Sequence, residues 1–75
     1  MTAAAVPGEE ELTTILREAL VALGRAGRPQ EANRLAARAW SLLRGPAPEQ
    51  AERINRTMHA LARMETGTGN QGEQR

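Results

Sequence analysis

The chain contains no cysteine, no phenylalanine and no tyrosine, and Trp40 is its only aromatic residue. Without cysteine it can form neither disulfides nor zinc sites with thiolate ligands. Its core must be built from leucine, isoleucine, methionine and alanine, and alanine buries little apolar area. A chain of 75 residues buries only about 60% of the surface that its unfolded form exposes, so such a core gives marginal stability. Self-association or docking on a partner is one common remedy, which favours a binding role.

Lysine and aspartate are also absent, so every basic residue is arginine and every acidic residue is glutamate. We interpret this skew, at a formal net charge of +1 and with abundant alanine and glycine, as bacterial GC-rich coding bias. Residues 1–8 lack the basic start and apolar run of a signal peptide. No stretch approaches the roughly 20 apolar residues that a membrane helix needs. The sequence therefore predicts a cytoplasmic protein without a membrane segment.

The first predicted helix covers residues 9–25. Its apolar residues recur at the three- and four-residue spacing of one helical face, and glutamates crowd its first turn, where the helix dipole favours them. Gly24 and Gly27 can each supply the left-handed residue that ends a helix. The expected core positions of this helix are Leu12, Ile15, Leu16, Ala19, Leu20 and Leu23.

Two further helices are predicted over residues 29–44 and 48–65. Pro29 suits the first position of a helix, where its missing N–H costs nothing, and Gly45-Pro46 is a strong stop between the two helices. The expected core positions are Ala32, Leu35, Ala36, Ala39, Leu42 and Leu43 in the second helix, and Ala51, Ile54, Met58, Leu61 and Ala62 in the third.

These helices define a domain over residues 9–65, flanked by tails at 1–8 and 66–75 that lack periodicity and are predicted to be disordered. Short connections force antiparallel neighbours, so the predicted fold class is all-α, a small three-helix bundle. Along the third helix we expect ion pairs at the favourable i, i+4 spacing, namely Glu49 with Arg53 and Glu52 with Arg56.

One junction matches a known helical pattern. Residues 27–32 read Gly-Arg-Pro-Gln-Glu-Ala and are followed by Leu35 and Ala39. This junction resembles the helix A to helix B turn of a tetratricopeptide repeat, where small residues let two helices approach closely. The resemblance spans about one repeat, residues 13–46. It implies that the first two helices form an antiparallel hairpin of the kind that serves as a protein-binding scaffold.

Two sequence features that could suggest chemistry have simpler explanations. Residues 67–72 spell GxGxxG, but dinucleotide binding needs these glycines after a strand and before a helix. Here a predicted helix precedes them, and neither a strand nor a following helix is predicted. His59 is the only histidine, and one histidine without further ligands cannot hold zinc. We therefore expect no catalytic residues, no metal site and no cofactor, and we predict that the protein is not an enzyme.

Charge is distributed unevenly between the first two helices. Residues 9–24 hold four glutamates and one arginine (net −3), and residues 25–44 hold five arginines and one glutamate (net +4). Arg34 and Arg38 lie i, i+4 on the polar face of the second helix, with Trp40 at the margin of its apolar face. The asymmetry is explained either by pairing between antiparallel helices or by an anion-binding surface.

The leading functional hypothesis is a small protein–protein interaction module, either an adaptor or a homo-oligomer. It would present Arg34, Arg38 and the edge of Trp40 to an unidentified protein or to itself. Trp40 is expected in the core more often than at an interface, because little else can fill this core. The alternative is a regulator that contacts nucleic acid through the same arginines, although nucleic-acid binders usually have strongly basic domains.

Overall fold

Three α-helices make up the computed structural model, which describes the backbone of residues 8–73 and the side chains of residues 8–65. The helices are α1 (Gly8–Arg25), α2 (Pro29–Leu43) and α3 (Pro48–Glu73). Each packs against the other two, and α3 packs more extensively on α2 than on α1. Residues 8–73 contain no strand, so the prediction of an all-α three-helix bundle is confirmed.

Helix α1 ends at a glycine in the left-handed conformation. Gly27 has φ +99°, and no other residue of the described chain has a positive φ. The Gly27 N–H donates to the Gly24 carbonyl at 3.0 Å, and the Arg28 N–H donates to the Leu23 carbonyl at 3.2 Å. This pair of bonds is the Schellman motif. Of the two glycines expected to end the helix, Gly27 does so and Gly24 stays helical.

Helix α2 starts at a proline and ends without a left-handed residue. Pro29 occupies its first turn, where the ring fixes a helical φ and the lost N–H has no intrahelical partner. At the other end, the Arg44 N–H donates to the Trp40 carbonyl at 2.9 Å, and the Ala47 N–H donates to the Leu43 carbonyl at 2.8 Å. The chain therefore leaves α2 through one further helical turn before α3 begins.

The third helix is longer than predicted. Its backbone remains helical to Glu73, whereas the sequence predicted an end at residue 65 and disorder from residue 66. Adding a residue to an existing helix forms one hydrogen bond for each residue fixed. No proline stands in this stretch, and a glycine costs only about 1 kcal/mol. The other predicted disordered segment, residues 1–8, lies outside the described residues except for Gly8, which belongs to α1.

The core is small and combines alanine with leucine, isoleucine and methionine, as the composition predicts. Its buried residues are Leu20, Ala32, Ala36, Ile54 and Leu61, and the partly buried residues packed around them are Leu16, Leu23, Ala39, Trp40, Leu43, Met58 and Met64. Ile54 and Leu61 are the only large side chains in the described part of the chain that are fully buried. With so little large apolar volume enclosed, the bundle gains limited stability from burial.

Helices α1 and α3 approach closely at Gly24. A Cβ atom at this position would lie 2.8 Å from Leu61 Cδ2 and 2.8 Å from Met64 Sδ. Gly24 therefore suits this buried position of α1, because side chains of α3 occupy the space that a larger residue would need.

A polar seam joins the same two helices. Arg17 Nε donates to Thr57 Oγ1 at 2.9 Å, and Arg53 Nη2 donates to Thr14 Oγ1 at 3.1 Å. Because these contacts advance along both helices together, α1 and α3 run parallel. Arg53 is thus bonded to α1 rather than to Glu49 as predicted.

Several residues predicted for the core lie on the surface instead. Leu12 is 66% exposed, Ile15 59%, Leu35 41% and Leu42 76%, and Ala19 and Ala62 are also exposed. The reason is the position of α3, which covers one side of the α1–α2 hairpin. The side of α1 that faces α3 carries Thr13, Leu20 and Gly24, all buried, whereas Leu12 and Ile15 lie on the side of α1 that α3 does not cover.

Candidate interaction surface

The exposed large apolar residues lie on the side of the hairpin that α3 does not cover. On α1, Leu12 and Ile15 lie about 140° and 160° around the helix from Arg17, which contacts α3, at about 100° per residue. On α2, Leu35 and Leu42 lie about 160° and 180° from Asn33 by the same rule. Asn33 Nδ2 donates to the Met58 carbonyl of α3 at 3.2 Å.

The short connection at residues 26–28 places these residues side by side. In an antiparallel hairpin, residues at equal distance from the turn lie at the same level, which brings Leu12 beside Leu42 and Ala19 beside Leu35. Ile15 fills the space between these two levels on α1. We call Leu12, Ile15, Ala19, Leu35 and Leu42 the outer strip.

The apolar face of α1 is wider than a helix needs in order to pack on one side against a core. It spans about 140° from Leu20 to Ile15, whereas a helix facing a core needs an apolar stripe of only about 100°. This width is the sequence signal that could have revealed the outer strip. Sequence reasoning missed it because it assigned the whole face to the core.

Charges of opposite sign border the outer strip. Beyond Ile15, the outer edge of α1 carries exposed Glu11 and Glu18, and beyond Leu42 the outer edge of α2 carries exposed Arg34 and Arg38. We call these the acidic edge and the basic edge.

The two edges of one chain do not pair with each other. Among residues 8–65 the ion pairs are Arg28–Glu31 at 2.8 Å and Arg56–Glu52 at 3.8 Å. The second is one of the two pairs predicted along α3. Neither joins α1 to α2, so the predicted pairing between the acidic and basic helices is wrong for the described residues. The reason is geometric, because the two edges lie on opposite margins of the hairpin.

The structure separates the three residues singled out by sequence. Arg34 and Arg38 are both exposed on one face of α2. Trp40 lies about 160° around the helix from Arg38 and packs half-buried against the core. Arg44 covers its ring, with the guanidinium carbon 4.9 Å from the ring centroid, a distance at which cation–π attraction operates.

An open groove of about 910 Å³ lies where the α1–α2 turn faces the last described side chains of α3. Its charged lining residues are Arg25, Arg28, Glu31, Arg34 and Glu65. In the described part of the chain, no three His, Cys, Asp or Glu residues stand close enough to hold a metal ion. His59 is exposed on α3. None of the described helices is both long and apolar enough to cross a membrane.

No family model, no curated protein and no solved structure matches this chain. The tetratricopeptide-like hairpin therefore remains a prediction from the residues at the first turn.

Proposed function

We propose that this protein is a small, non-enzymatic protein–protein interaction module of the cytoplasm, and that the outer strip is its contact surface. The observation that carries the proposal is the exposure of four large apolar side chains on one side of the α1–α2 hairpin, between 41% and 76% each. Single exposed apolar residues are ordinary, but contiguous apolar surface rimmed by polar residues is typical of interaction sites.

The energetics favour covering this surface. Burying a leucine or isoleucine completely contributes about 1.5–3 kcal/mol, so partly exposed residues of this kind contribute about 1–2 kcal/mol each when a partner covers them. That gain is comparable to the stability expected for a bundle with so small a core. The resemblance to a tetratricopeptide hairpin supports the same conclusion by analogy, because such hairpins bind proteins through exposed helix faces.

Site-specific photo-cross-linking in producing cells tests the proposal. A photoreactive amino acid at Leu42 should give a defined protein adduct, because this residue is the most exposed of the strip. The same amino acid at His59, an exposed residue of α3 away from the strip, is the control and should give none. Absence of an adduct at Leu42, or equal adducts at both positions, would contradict the proposal.

A second candidate function is contact with nucleic acid through the basic edge. The observation that favours it is that Arg34 and Arg38 are exposed one helical turn apart and take part in neither ion pair of residues 8–65. Phosphate contacts release counterions, so such binding would weaken steeply with added salt, whereas an apolar contact would not. Reversing both charges, Arg34→Glu with Arg38→Glu, should abolish nucleic-acid binding.

A further inference from the structure

We infer that the occupant of the outer strip is a second copy of this chain, in a symmetric dimer that lays α1 of each protomer along α2 of the other. The inference rests on the proposed function and names the partner. It follows from three features of the hairpin: the composition of the strip, the charges at its edges and the small size of the core.

The outer strip is suited to meeting its own copy. Each helix of the hairpin contributes two large apolar residues, Leu12 and Ile15 from α1 and Leu35 and Leu42 from α2. When two such hairpins meet face to face, four helices enclose one apolar layer, which is the packing of a four-helix bundle. A two-fold axis makes this contact self-complementary, since the same patch is used on both protomers.

Two placements of the two-fold axis bring the strips together, and the charges distinguish between them. An axis perpendicular to the helices would lay α1 on α1 and α2 on α2, so that the acidic edge would run along the partner's acidic edge and the basic edge along its basic edge. An axis parallel to the helices lays α1 on α2 of the partner and keeps the two turns at the same end. The acidic edge of each protomer then runs along the basic edge of the other.

The register of the charges agrees with the parallel axis. By the equal-distance rule of the hairpin, Glu18 is level with residue 36, midway between Arg34 and Arg38. The charges that find no partner across their own hairpin therefore meet opposite charges across the dimer. Like charges directly opposed would disfavour the other arrangement.

The core gives a further reason for a second copy. Within residues 8–65 its buried large apolar side chains are Leu20, Ile54 and Leu61, fewer than the four exposed large apolar residues of the strip. Dimerisation would convert the strip into a second buried layer and so supply burial that the single chain lacks.

Sedimentation equilibrium of the full chain and four variants tests the inference, with helicity checked by circular dichroism. The wild-type chain should be dimeric at concentrations on the order of 100 μM. Leu42→Glu should make it monomeric, while the control His59→Glu, at an exposed position of α3 away from the hairpin's outer side, should leave the dimer unchanged. Glu18→Arg and Arg38→Glu should each weaken the dimer about tenfold, because each creates two repulsive contacts across the axis. The double variant with both changes should regain wild-type affinity, since the pair is restored with its signs exchanged.

Each of the opposite results contradicts a different part of the proposal: the direction of the axis, the identity of the occupant or the contact surface. If Leu42→Glu abolishes the dimer while the single charge reversals do not weaken it, the parallel axis is wrong and the strip still self-associates. If the wild-type chain stays monomeric up to about 1 mM, the occupant of the strip is not a second copy. In that case an adduct between Leu42 and a different protein would still support the proposed function. If Leu42→Glu remains dimeric, the outer strip is not the dimer contact. If cross-linking gives no adduct at Leu42, the proposed function itself is wrong.

Discussion

Replacing Gly24 with alanine tests how closely α1 and α3 approach. In an exposed helix interior, glycine to alanine stabilises by about 0.8–1.0 kcal/mol, because alanine loses less backbone entropy on folding. At Gly24 the new Cβ would lie 2.8 Å from Leu61 Cδ2 and from Met64 Sδ, whereas carbon atoms in ordinary contact are about 3.5–4.0 Å apart. The two side chains, or the two helices, must therefore move.

The packing cost decides the sign of the effect. Leu61 is 0% exposed, so its side chain has no open space to enter, although Met64 can change rotamer. Overpacking of a core costs about 1–3 kcal/mol. Subtracting the gain in helix propensity leaves a net loss of about 1 kcal/mol, which lowers the melting temperature of a domain this size by about 4–8 °C.

Thermal and urea unfolding measure this loss, followed by helical circular dichroism and by the fluorescence of the single tryptophan at one fixed protein concentration. Gly45→Ala is the control, since a Cβ there meets nothing within 4 Å and its φ is not positive. The control should be neutral or slightly stabilising. If Gly24→Ala stabilises the protein by the full 1 kcal/mol of an exposed site, the close approach of α1 and α3 is wrong.

Three further substitutions follow from the same contacts, each measured by urea unfolding. Trp40→Ala should lower the free energy of unfolding by about 2–4 kcal/mol, below the upper range for a fully buried tryptophan because the ring is half-buried; a loss under about 0.5 kcal/mol would show that the ring does not support the core. Gly27→Ala should cost about 1–2 kcal/mol, since alanine is strained at φ +99°, and an unchanged midpoint would refute the Schellman ending of α1. Thr57→Val should cost about 1–2 kcal/mol because it removes the acceptor for the Arg17 guanidinium at 2.9 Å; an equal cost in a background of Arg17→Met would mean that the two residues do not interact.

The exposure of the outer strip connects the fold to the proposed function. Covering an apolar face of two helices is favourable, because contiguous apolar surface is unfavourable in water. Helix α3 covers one side of the hairpin and leaves the other uncovered. Because only one helix packs on the hairpin, the core stays small and the outer strip stays exposed for the proposed contact.

The candidate site was less predictable from sequence than the fold. Arg34 and Arg38 lie exposed on one face because their spacing along α2 is a local property. Trp40 was grouped with them, but it lies on the core side of the same helix. Leu12, Leu42 and their neighbours were assigned to the core. The width of the apolar face of α1 indicates that one helix cannot cover all of it, but no local signal shows which part stays exposed.

The sequence by itself determined the all-α class and the places where helices start and stop, because proline and left-handed glycine act through the backbone of their own residue. Pro29 begins α2 and Gly27 ends α1 for reasons that need no tertiary contact. Only the tertiary structure decided which half of each apolar face lies inside and why Gly24 must lack a side chain. These depend on where α3 lies against the hairpin, and periodicity along one helix carries no information about the direction from which another helix approaches.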